Sequence, residues 1–87
     1  DAHIADLAFS DLPGRLAKTL IARARPGARG RPAEVSDTQG ALAAMVGGSR
    51  EAVNRCLGKW QKAGLVAVSD GRIVLPDPEA LAEAAGL

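Results

Sequence analysis

The chain has 87 residues, and 11 Lys and Arg stand against 10 Asp and Glu, for a formal net charge of +1. Apolar residues make up 47% and charged residues 24%, a globular balance that excludes a disordered chain. Global charge gives no sign of a nucleic-acid binder, so any basic face has to be local.

One Phe, one Trp and no Tyr leave the core to Leu, Val, Ile, Met and Ala, which favours closely packed helices. A single Cys excludes an internal disulfide, and one Cys with one His all but excludes a Cys/His zinc site. No apolar run approaches the ~18 residues a membrane span needs. No basic leader precedes an apolar run, so nothing reads as a signal peptide. The chain opens at Asp1 without Met, as a piece of a longer protein would.

Residues 1–10 are weakly amphipathic, with Ile4, Leu7 and Ala8 at helical spacing and the only His at position 3, in a stretch expected to fray. They read as the remnant of a linker or of a longer helix, with the domain proper over 11–87. Asp11 is a candidate N-cap, Pro13 is tolerated in a first turn, and Leu12, Leu16, Leu20 and Ile21 share one face, predicting a helix over 11–24. Pro26, Gly27, Gly30 and Pro32 stop it. Arg23, Arg25, Arg29 and Arg31 make that stretch basic: either a solvated loop or a contact for DNA phosphates. Residues 33–36 are long enough for a very short strand only.

Thr38 is the preferred cap of the next helix, placing Leu42, Met45 and Val46 inward; Gly40 in its first turn weakens it. Gly47 fits a left-handed C′ position, and Ser49 caps another helix at once. Helix, two glycines, cap and helix in immediate succession predict a helix-turn-helix. The second helix is expected from Arg50 to Lys62, burying Val53, Leu57 and Trp60 with Cys56 alongside as a small core hydrophobe. Its other side carries Arg50, Glu51, Asn54, Arg55 and Lys59, and Gly58 interrupts helical propensity without a reason visible in the sequence. Gly64 closes the helix. Residues 65–68 and 72–75 are β-prone around Ser69, Asp70 and Gly71, the signal of a hairpin wing. Asp77 and Pro78 begin a last helix.

An enzyme is poorly supported: there is no Ser/His/Asp set and no glycine-rich loop between a strand and a helix. Nucleic-acid binding has more behind it. Over 38–75, Arg50, Arg55, Lys59, Lys62 and Arg72 face only Glu51 and Asp70. Arginine can pair with guanine, asparagine with adenine, and glutamate can accept from cytosine. Arg50, Glu51, Asn54 and Arg55 on one helix face therefore suit base reading, although a solvated face with a Glu51–Arg55 ion pair would look similar. Thr38, Gln39 and Ser49, at helix starts, suit phosphate contacts, as does Arg72 beside the wing tip; Lys59 is a further backbone candidate.

The stretch TQGALAAMVGGSREAVNRCLGKWQKAGLV at 38–66, followed by DGRIVLPDPEAL at 70–81, closely resembles the DNA-binding domain of the cyclic AMP receptor protein and FNR family of bacterial transcription regulators. DLPGRLAKTLIARA at 11–24 is similar to the helix that opens that domain. The resemblance implies a mainly α winged helix-turn-helix with base readers at Arg50, Glu51 and Arg55 and phosphate contacts at Thr38, Gln39 and Ser49. Ala52 and Ala41 depart from it, standing where the family often has a hydroxyl residue and a glutamate.

The implied parent protein is a cytoplasmic, nucleoid-associated homodimer on a pseudo-palindromic double-stranded DNA operator, with RNA polymerase a further partner and no membrane association. The domain itself carries no cofactor. A cyclic nucleotide would belong to an N-terminal effector domain, which lies outside these residues. The alternative is a winged helix that contacts protein, either a polymerase subunit or its own effector domain.

Overall fold

A computed structural model describes the backbone of residues 2–87 and the side chains from Leu12 onward. The first helix, α1, runs Ala2–Arg23 with Pro13 inside it, so the start expected at Asp11 is not a helix end. The helix carries through Pro13, which removes one backbone donor in its interior rather than sitting in a first turn. The stripe of Ile4, Leu7 and Ala8 and the side chain of His3 lie outside the described side chains. Leu16, Ala17 and Leu20 are buried, with Leu12 and Ile21 partly so, as the spacing predicts.

After α1 the chain makes a single 3-10 turn, Ala28–Gly30, where Arg29 and Gly30 take φ of 55° and 78°. Gly27 is tightly packed here. A Cβ on it would overlap the carbonyl oxygens of Pro32 and Arg31. Arg25 and Glu34 exchange two backbone hydrogen bonds of 2.9 Å, clasping the ends of this basic loop.

Strand β1, Ala33–Val35, leads into helix α2, Gln39–Val46. The Thr38 hydroxyl caps α2 by accepting from the Ala41 N–H at 3.0 Å. The inward residues are Leu42, Ala43 and Val46, whereas Met45 is 47% exposed, contrary to the expected stripe. An eight-residue helix buries a narrow face, and Ala43 rather than Met45 lies on it. Gly47 has φ of 70°, and the Gly48 N–H reaches the Ala43 carbonyl at 3.0 Å, which closes α2.

Helix α3 spans Arg50–Lys62 and is capped by Ser49, whose hydroxyl accepts from the Ala52 N–H at 3.0 Å. Val53, Leu57 and Trp60 are buried, and Cys56 is half-buried at their edge. Gly64, at φ of 77°, ends the helix, with the Leu65 N–H bonded to the Trp60 carbonyl at 2.9 Å. Strands β2, Ala67–Ser69, and β3, Arg72–Leu75, form the wing. Ser69 pairs with Arg72 across Asp70 and Gly71, both at positive φ (50° and 74°), so the loop has two residues and Ser69 belongs to the strand. β2 begins two residues later than expected, because Leu65 and Val66 serve the helix exit and the core.

The sheet order is β1-β3-β2, antiparallel throughout, so the wing is a hairpin with a third strand from upstream of the helix pair. Val35, Ile73 and Leu75 turn into the core from this sheet. Helix α4, Pro78–Ala84, is capped by Asp77 and buries Leu81. Every residue of the core is apolar, and no side chain among the described residues is both buried and charged.

Candidate nucleic-acid interface

Two short helices meet across Gly47 and Gly48, and that tight turn leaves the start of α3 projecting. Arg50, Glu51, Asn54 and Arg55 are all exposed and line an open concavity of about 580 Å³. Among the described residues Arg50, Glu51 and Arg55 have no hydrogen-bond or ion-pair partner, so the Glu51–Arg55 pair that would have made this an ordinary solvated face is not formed. Two guanidinium groups and a carboxylate are left free to bond something outside the chain.

The surrounding residues are held by local chemistry. Thr38 and Ser49 each use a hydroxyl oxygen as a cap and keep the O–H donor for another acceptor. Gln39 opens α2, where the first backbone N–H groups have no helical partner. Its side-chain Oε1 accepts from Asn54 Nδ2 at 2.8 Å, a bond between α2 and α3 that the sequence did not announce. Arg15 on α1 donates from Nε to the Val46 carbonyl at 2.9 Å, fixing the end of α2 beside the turn. The Cβ that Gly48 lacks would come 3.0 Å from Leu12 Cδ1, so α1 packs closely on that turn.

Two other expected contacts sit away from this ridge. Arg72, at the base of the wing tip, faces Glu34 on β1 at 3.4 Å. Lys59 borders a separate groove with Cys56, Trp60 and the end of α4. Burial pushes the Cys56 thiol up from its ordinary range, with Lys59 partly offsetting this, as suits a core thiol. In the basic stretch, Arg23 makes a two-pronged pair with Asp37, at 2.7 Å and 2.9 Å, which joins the end of α1 to the segment before α2. The Arg23 guanidinium holds the Asp37 carboxyl below the usual carboxylate range. No helix among the described residues is long and apolar enough to cross a membrane.

The family model described as the Crp-like helix-turn-helix domain matches residues 14–84. A CRP-like cAMP-activated global transcriptional regulator of Mycobacterium tuberculosis (strain H37Rv) is 38% identical over 87 residues, covering 95% of this chain. This chain spans 39% of the length of that relative. Among solved structures, the reduced (Fe(II)) CO-sensing protein from R. rubrum superposes with a TM-score of 0.78 at 29% identity, over 97% of this chain and 41% of its own. A CRP/FNR family transcriptional regulator from Thermus thermophilus superposes with a TM-score of 0.76 at 31% identity, over 94% of this chain and 44% of its own. The fold is thus shared with proteins that regulate transcription, and the chain belongs to the Crp-like helix-turn-helix family, the DNA-binding domain of CRP/FNR-type transcription regulators.

Proposed function

We infer that this domain reads double-stranded DNA by laying the start of α3 in the major groove, as one half of a dimeric, effector-controlled bacterial regulator acting in the cytoplasm. The observation that carries the reading is the exposed, unpartnered set Arg50, Glu51 and Arg55 on the ridge that the glycine turn leaves open. Arg50 and Arg55 are assigned to guanine, Glu51 to cytosine and Asn54 to an adjacent base. Thr38, Gln39 and Ser49 flank them as donors to phosphates, with Lys59 and Arg72 as outlying backbone contacts. A two-fold dimer would place two α3 helices roughly 34 Å apart on a pseudo-palindrome. One similar protein is described as cAMP-activated and another as CO-sensing, a difference in effector between proteins alike in this domain that supports assigning effector control to a separate domain.

An array of all ten-base duplexes probed with the chain at low salt tests this. The expected result is a defined preferred sequence. Arg50→Ala and Arg55→Ala should each flatten the preference at particular base pairs, by about 1–3 kcal/mol. Equal loss on every duplex from Arg55→Ala would remove it as a reader. Binding to no duplex at all would favour a protein-contacting winged helix.

A further inference from the structure

The bond between Gln39 and Asn54 links two side chains that the DNA-reading function treats as separate contacts. Both are primary amides, and an amide is ambiguous: it presents an acceptor on one side and donors on the other, and it can turn over. With Gln39 Oε1 accepting from Asn54 Nδ2, each restrains the other, since turning one amide alone would set like groups face to face. Gln39 has committed its carbonyl to α3 and retains its Nε2 hydrogens, which suit a phosphate at the start of α2. Asn54 has committed one N–H to α2 and keeps Oδ1 and its second N–H for a base edge, while the bond holds the amide in place. Asn54 also lines the same concavity as Arg50, Glu51 and Arg55, where a base edge would sit.

We propose that Gln39 is a specificity-determining residue that acts through Asn54: the Gln39–Asn54 bond holds the Asn54 amide at one base position and so sharpens the preference there. This rests on the DNA-reading function above and adds to it a coupling between a phosphate-side residue and one base position. Gln39 is then a positioning residue for recognition as well as a backbone contact. An ordinary backbone contact weakens all sequences alike and carries no sequence information, so the two roles separate experimentally.

The test is a set of fluorescence anisotropy titrations on the preferred duplex and its single-base variants, with melting temperatures confirming that each variant folds. Asn54→Ala identifies the position by flattening one base pair's preference, which should be roughly tenfold in the parent chain. Gln39→Leu removes the acceptor and should flatten that same position. Gln39→Glu keeps an acceptor for Asn54 but loses the donors and adds a negative charge. It should retain the preference while binding every duplex more weakly. The proposal is overturned if Gln39→Leu lowers affinity uniformly with the preference intact, or if Asn54→Ala changes no position. In each of these cases the readers Arg50 and Arg55 stand or fall by their own substitutions. Absence of any sequence preference in the parent chain would defeat the DNA-reading function and this coupling together.

Discussion

Gly58 sits within α3, on the exposed side one turn beyond Asn54 and Arg55, and a Cβ placed on it would meet nothing within 4 Å. No packing demand keeps a glycine there, and its φ is not in the left-handed region. Gly58→Ala should therefore stabilise the domain by up to about 1 kcal/mol, the difference in helix propensity, seen as a higher melting temperature. An unchanged or lower melting temperature would reveal strain that the geometry does not show. Met45 is the opposite lesson. Its spacing from Leu42 suited an inward position, but α2 turns Ala43 to the core instead, and only the placement of α1 and α3 decides between two neighbouring stripes. Asn54 was legible as an exposed polar residue on the same face as Arg50, Glu51 and Arg55. Its bond to Gln39, fifteen positions earlier, required the two helices to be set in space.

At the scale of elements, three caps and two glycine stops were written locally and formed as read: Thr38, Ser49 and Asp77 at helix starts, Gly47 and Gly64 at their ends. The pairing of β1 with β3 was not legible, because three residues carry too little alternation to choose a partner. The pin between α1 and the segment before α2 was also hidden, since Arg23 and Asp37 are fourteen positions apart. Arg23 lowers the Asp37 carboxyl below its ordinary value. A lowered carboxylate contributes stability above its unfolded pKa of about 3.9, and this is lost as pH falls through the folded value. The stability difference between the parent chain and Asp37→Asn should therefore be full near neutrality and shrink as pH drops below about 4, measured by urea unfolding across that range. A difference that is constant with pH would mean the pair contributes nothing through charge. Gly27→Ala should loosen the basic loop, since its Cβ would overlap the carbonyls of Arg31 and Pro32. Faster hydrogen exchange or proteolysis confined to residues 25–34 is the expected readout.

For the whole molecule, one apolar core ties α1, the helix pair, the sheet and α4 together, and Trp60 is its largest side chain, 5% exposed. Trp60→Ala should remove about 3–5 kcal/mol. Domains of this kind hold about 5–15 kcal/mol in total, so the loss should be a large fraction of the unfolding free energy in a urea titration. A change under about 1 kcal/mol would mean the indole is not packed. DNA binding should weaken steeply with salt, because each phosphate contact releases counterions and log K falls linearly with log salt. Arg72→Ala should reduce that slope and leave base preference unchanged. A slope indifferent to Arg72 would leave its guanidinium to Glu34 alone.

The amino-acid sequence by itself determined the helix limits of α2, α3 and α4, the hairpin turn at Asp70–Gly71 and the buried stripe of α3. These depend on backbone preferences and side-chain periodicity within a few residues. Only the tertiary structure decided that the side chains of Arg50, Glu51 and Arg55 have no internal partner among the described residues, that Gln39 holds Asn54, and that β1 completes the wing. Each of those depends on the distance between segments far apart in the chain, and burial of the shared core sets that distance.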